Sequence, residues 1–150
     1  MNFSQITDDL FIGTTPAVED YDVLRGLGVR LVINLRFARG PYPDSHQEAL
    51  KFLWLRSMDN PLFLVSKQKL AEGVHIALET IQNGGKVYSH CAKGRHRSVA
   101  MGAAILIAQG NSPEKAMQLI KQQRLISDPD IFYIRRRILE FARLWQALQG

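Results

Sequence analysis

The chain carries one cysteine among its 150 residues, so no internal disulfide can form and the small disulfide-stapled folds are excluded. No apolar run approaches the roughly 18 residues that span a bilayer, so no membrane-spanning helix is expected. The opening Met1-Asn2-Phe3-Ser4-Gln5 lacks the basic stretch and apolar core of a signal peptide, which leaves a reducing, cytoplasmic location as the expectation. Repeats, low-complexity tracts and domain linkers are likewise missing. The four histidines, His46, His75, His90 and His96, form no cluster with metal-ligand spacing, and neither metal nor other cofactor is expected.

What is present is an ordinary globular composition, with 46% apolar and 22% charged residues. A chain of this length buries one real core, so residues 1–150 read as a single domain. The net charge of +5 points to anionic partners: phosphoproteins, phospholipid headgroups or nucleic acid.

Hydrophobic periodicity lays out an alternation of strands and helices. Ile6 and Leu10-Phe11-Ile12 flank Thr7-Asp8-Asp9 and predict a hairpin. Thr15-Pro16 reads as a helix start, with Val18, Tyr21, Leu24 and Leu27 as its buried stripe and Gly28 as its end. Leu31 to Leu35 is a buried strand, and Arg36 to Pro43 a loop. A short helix around Ser45 to Leu50 and a strand over Phe52 to Leu55 follow. Ser66 caps a helix with Leu70, Val74, Ala77, Leu78 and Ile81 at helical spacing, stopped by Asn83-Gly84-Gly85. Lys86 to Ser89 is a strand running into His90-Cys91. Val99 to Ala108 is a buried helix, Ser112-Pro113-Glu114 starts another, and Ile131, Ile134, Ile138, Phe141, Trp145 and Leu148 stripe the last. The pattern is an α/β three-layer domain with a central, mainly parallel sheet of about five strands and a helical C-terminal half.

The segment His90-Cys91-Ala92-Lys93-Gly94-Arg95-His96-Arg97-Ser98 lies between a strand and a helix. A helix N-terminus offers unpaired backbone N–H groups and the positive end of the dipole to an anion. Ala92, Lys93, Gly94, Arg95 and His96 can ring a phosphate, Gly94 can take a turn conformation most residues resist, and the planar fork of Arg97 matches two phosphate oxygens. The same donors lower the pKa of Cys91, which becomes a thiolate nucleophile. Ser98 can hydrogen-bond the sulfur and ease its departure. His90 reads as a structural imidazole that orients the loop.

These residues match H-C-x-x-G-x-x-R-[S/T], and the chain resembles the protein tyrosine phosphatase superfamily. With Asp9-Leu10-Phe11-Ile12-Gly13, Leu31-Val32-Ile33-Asn34-Leu35 and the terminal helices, the resemblance extends over nearly the whole chain to the small dual-specificity branch. His96 departs from the Ser or Gly frequent before the arginine and makes the loop rim bulkier. The resemblance places the general acid at Asp59, in Ser57-Met58-Asp59-Asn60-Pro61, although Asp-Asn-Pro is also good turn chemistry. Asp44 is a second candidate that reads better as a helix cap.

The implied reaction is metal-independent hydrolysis of a phosphomonoester through a phosphocysteine intermediate, Asp59 acting first as acid and then as base. Phosphotyrosine and phosphoserine/threonine in proteins are the leading substrates. A phosphoinositide headgroup or an RNA 5′-phosphate comes next, because Lys93, Arg95 and His96 line the loop. Arg135-Arg136-Arg137 reads as a solvated helix face. A sulfurtransferase of the rhodanese type would have no use for Asp59 or Ser98, and a non-catalytic phosphate-binding module has no need of Cys91.

Overall fold

A computed structural model describes residues 1–40, 42–45 and 50–150. The hairpin forms from β1 (Phe3–Thr7) and β2 (Leu10–Thr14), which pair antiparallel. The strands β3 (Val29–Asn34), β4 (Lys51–Trp54) and β5 (Lys86–Cys91) complete a sheet in the order β1-β2-β5-β3-β4. Every pairing beyond the hairpin is parallel. The register sets Thr14 beside Cys91, and Asn34 beside both His90 and Trp54. Four strands therefore end together along one edge, the edge at which open α/β sheets place their ligands.

Alternation along the strands feeds two cores. Leu10, Ile12, Leu31, Ile33 and Val87 point into the larger one, against α2 (Lys67–Gln82), α3 (Arg97–Ala108), α4 (Pro113–Gln123) and α5 (Phe132–Gln149). Phe11, Val29, Val32 and Tyr88 point the other way, onto Tyr21 and Leu24 of α1 (Tyr21–Gly26). The three layers expected from the sequence are present. In α3 every residue from Ser98 to Ile107 is buried, as its unbroken apolar run requires. Ser66 and Ser112 cap α2 and α4, accepting from the amides of Lys69 and Lys115 at 3.1 Å each.

Several expectations are corrected. Thr15-Pro16 does not open a helix: Ala17 is extended, a 3-10 turn runs over Val18–Asp20, and α1 starts only at Tyr21. The Asp20 carboxylate accepts from the Ala17 amide at 2.8 Å. The Thr15 hydroxyl is engaged at the sheet edge, accepting from Arg36 at 2.9 Å and donating to the Cys91 carbonyl at 3.4 Å. Val18 and Leu148 are exposed, each lying at an end of its helical stripe beyond the reach of the core. The strand anticipated at Phe52 to Leu55 sits one residue earlier. The short helix expected around Ser45 to Leu50 falls largely outside the described residues. Asp44, described just before it, accepts from the amide of Leu50 at 2.9 Å and pairs with Arg25, far from the loop after β5.

Candidate functional site

The chain leaves β5 at Cys91, wraps through Ala92 to His96, and enters α3 at Arg97. Gly94 makes the reversal at φ +64°. A Cβ there would lie 2.7 Å from the Arg124 guanidinium and 2.8 Å from the Gly13 carbonyl, so the position admits glycine on two counts. The loop encloses a pocket of about 170 Å³ lined by Asp59, Cys91, Ala92, Lys93, Arg95, His96 and Arg97. A larger, open groove of about 690 Å³ shares Ala92, Lys93 and Arg95 and continues past Lys121, Leu125 and Ile126.

Cys91 is only 3% exposed, and its sulfur lies 3.2 Å from the Ser98 hydroxyl. Burial pushes the thiol up, but the Ser98 hydroxyl and amide, the Arg97 charge and the Gly94 amide together pull it below the ordinary cysteine value. Arg97 is braced from behind, donating through one terminal nitrogen to the carbonyls of Ser57 at 2.8 Å and Leu35 at 3.4 Å. Its Nε is buried and has no partner among the described residues. His90, beneath the loop, is driven down to about 3 by burial and then by the Arg36 charge, so it stands neutral.

Asp59 reaches the pocket from the segment between β4 and α2. That segment is folded by its own side chains: Asn60 Oδ1 accepts from the amides of Leu62 (3.0 Å) and Phe63 (2.8 Å), and Ser57 Oγ from Val65 (2.8 Å). Asp59 thus sits in turn chemistry and faces the thiolate as well. Its two oxygens are held from opposite sides, Oδ2 by His96 Nδ1 at 2.9 Å and Oδ1 by the Tyr133 hydroxyl at 2.7 Å. Burial raises the carboxyl, while those two hydrogen bonds and the charges of His96 and Arg97 lower it further, to a net depression. The Tyr133 hydroxyl is pushed up to about 12 by burial and by Asp59.

Two side chains of this arrangement, Arg124 and Tyr133, escaped the sequence reading, and two others, His96 and Arg137, make contacts it did not anticipate. Arg124 is 2% exposed and grips the loop from outside, donating to the carbonyls of Gly94 (2.8 Å) and Lys93 (3.2 Å), to Asn2 (3.0 Å) and to Ser4 (3.1 Å). By drawing carbonyls outward it helps turn the loop amides inward. Tyr133, on the first turn of α5, holds Asp59. His96, expected at the phosphate rim, lines the pocket, and its imidazole also meets Asp59. Arg137 is no solvated residue: it donates to the carbonyls of Leu64 and Val65 and pairs with Glu140 at 3.2 Å, tying α5 to the segment after Asp59. Only Arg135 and Arg136 of that triplet lie outward, on Asp130 and over the Phe132 ring. A lone arginine after an amphipathic helix carries no local mark of such a role.

Known proteins resemble this chain in sequence and in fold. A family described as "Polymorphic toxin system, DSP-PTPase phosphatase" matches residues 8–111. Dual specificity protein phosphatase 26 of Homo sapiens is 29% identical, the match spanning 97% of this chain and 70% of that protein. Dual specificity phosphatase 28 of Mus musculus is 27% identical over 86% of this chain and 77% of its own length. A crystal structure of PTPMT1 in complex with PI(5)P superposes with a TM-score of 0.84 at 25% identity, covering 99% of both chains. That of human DUSP28 reaches 0.82 at 24% identity, over 99% of this chain and 95% of its own.

Proposed function

Because this chain belongs to the DSP-PTPase phosphatase family, in its small dual-specificity branch, we propose that residues 1–150 act as one catalytic domain that hydrolyses phosphomonoesters through a phosphocysteine, without a metal ion. The observation that carries this reading is the meeting of the Cys91 sulfur, Ser98, Arg97 and Asp59 around one small pocket at the end of β5.

Phosphate enters with its equatorial oxygens on the loop amides of Ala92 to His96 and on Arg97, whose unpartnered Nε supplies a further donor. The Cys91 thiolate attacks phosphorus in line. The S–P bond forms, the P–O bond to the leaving group breaks, and Asp59 protonates the departing oxygen. Asp59, now a carboxylate, takes a proton from water as that water attacks phosphorus. Phosphate leaves and the thiolate returns, steadied by the Ser98 hydroxyl. The incoming dianion raises Asp59 by like-charge repulsion, which offsets the depression seen in the resting site. A lone thiolate nucleophile persists in a reducing compartment, which supports a cytoplasmic setting.

Phosphotyrosine and phosphoserine/threonine in proteins are the leading substrates of this reading, supported by the likeness to proteins named dual specificity phosphatases. A second reading, a phosphoinositide headgroup, is supported by the likeness to PTPMT1 bound to PI(5)P and by Lys93 and Arg95 at the rim. Phosphate release from phosphopeptides, phosphoinositides and RNA 5′ ends separates these, together with acid-quench trapping of labelled Cys91. Phosphopeptide turnover and a trapped label, both abolished in Cys91→Ser, are expected. A tenfold preference for phosphoinositide selects the second reading. Appreciable turnover by Cys91→Ser overturns the mechanism, and binding without turnover by the unaltered chain makes it a phosphate-binding module.

A further inference from the structure

The resting site poses a problem for its own acid. Asp59 must carry a proton when the leaving oxygen departs, yet two hydrogen bonds and two positive charges favour its carboxylate. The answer lies on its far side. His96, the residue before Arg97, stands between two carboxylates: Nδ1 is 2.9 Å from Asp59 Oδ2, and Nε2 is 3.9 Å from Asp128 Oδ2. Nε2 is buried and makes no hydrogen bond among the described residues. The ring also packs edge-on against Tyr133, with centroids 6.0 Å apart.

Asp128 is held in place by the phosphate loop itself. Its amide donates to the Arg95 carbonyl at 3.0 Å, while Arg95 Nε donates to the Ile126 carbonyl at 3.0 Å. His96 is therefore flanked on a fixed frame rather than left at the tip of a mobile rim.

We propose that His96 is the positioning residue for Asp59, holding its carboxyl at the pocket and, backed by Asp128, delivering the proton that the leaving oxygen then takes. This rests on the reading of Asp59 as the acid. The proton count follows from imidazole chemistry. With protons on both nitrogens, the ring satisfies both carboxylates. When the substrate dianion arrives, the Nδ1 proton moves to Asp59 Oδ2, leaving a neutral ring with Nε2–H facing Asp128. Without Nε2–H the same transfer would leave an imidazolate, so Asp128 is what permits it. Among the described residues, the other charged or titratable groups around this pair are Tyr133 from α5, Arg97 from α3, Cys91 at the end of β5, and Lys93 and Arg95 of the loop.

The test is the pH dependence of kcat/KM for aryl phosphates of graded leaving group and for an alkyl phosphate. His96→Ala should lose about 10–100-fold on the alkyl phosphate and less than about threefold on the most activated aryl phosphate. Its basic limb should move to lower pH, toward that of a carboxyl alone. His96→Asn, whose amide can still donate to Asp59, should regain most of the alkyl phosphate turnover at the optimum while keeping the displaced limb. Tyr133→Phe should lower alkyl phosphate turnover without moving the limb to lower pH, because the lost hydrogen bond favoured the carboxylate. Orthovanadate affinity within about threefold of the unaltered enzyme shows that the loop is intact. The proposal is overturned if His96→Ala lowers all substrates equally, or if its basic limb stays in place. Asp59→Asn separates the two layers of argument. If that variant keeps the leaving-group dependence of the unaltered enzyme, the acid assignment fails and the proposal with it. If it loses that dependence while His96→Ala does not, only the proposal fails.

Discussion

The Cys91 wall and the Asp59 wall of the pocket differ in what holds them. Cys91 stands at the end of a central strand and before a buried helix, and its partners, side chain and backbone in equal measure, lie within seven residues of it. Asp59 stands on an irregular segment, its side chain 36% exposed, and is held by side chains 37 and 74 residues away. The first wall is local chemistry on a stiff scaffold. The second is assembled, and so has more ways to be tuned.

That contrast predicts how each wall fails. Arg97→Lys should reduce kcat/KM by about 10²–10³-fold on every substrate, because an ammonium cannot replace the fork that grips phosphate in each transition state. Asp59→Asn should cost about 10²–10⁴-fold on an alkyl phosphate but far less on an activated aryl phosphate. A parallel loss across leaving groups in both variants would erase the distinction.

Arg124→Ala probes whether the cradle is as local as it looks. It removes a buried charge with four hydrogen-bond partners, so a loss of about 2–4 kcal/mol in denaturant unfolding is expected, with weaker vanadate binding. Unchanged vanadate affinity in the folded variant would show that the loop holds its shape without this brace.

His90 gives the stiff wall a pH signature. Its folded value of about 3 lies below the 6.5 of an ordinary histidine, so between these values the unfolded chain binds more protons than the native one. Stability contributed by the neutral ring is complete above pH 6.5 and falls as pH drops toward 3, by up to about 1.4 kcal/mol per pH unit. His90→Asn should flatten this slope relative to the unaltered chain in urea titrations at pH 7, 5 and 4. Parallel slopes would mean that the ring is not shielded.

The smallest effect is expected at the rim. Lys93→Ala with Arg95→Ala should leave aryl phosphate turnover within about tenfold while weakening the salt dependence seen with polyanionic substrates. Equal losses on both substrate types would place these side chains in the cradle rather than around it.

The two walls were also unequally legible. Strand, loop and helix around Cys91 could be read because an anion cradle at a helix N-terminus is a matter of consecutive residues. Asp59 was found through resemblance, since Asp-Asn-Pro alone describes any turn. Thr15 looked like a helix cap because Thr-Pro favours one, and only the sheet edge shows its hydroxyl engaged elsewhere. His96 read as rim bulk because nothing beside it in the chain names its carboxylate partners.

What the amino-acid sequence determined by itself is whatever depends on near neighbours: the alternating cores, the serine caps of α2 and α4, the glycine reversal and the thiolate loop. What only the tertiary structure decided is which distant side chains meet at that loop. Arg124 arrives from the end of α4, Tyr133 from α5, and Asp59 and Asp128 come to either side of one imidazole. The physical reason is range. Backbone hydrogen bonding and side-chain periodicity act over a few residues, whereas a proton shared between His96 and Asp59 requires positions 37 apart in the chain to approach within 2.9 Å. Only the packing of sheet and helices brings them there.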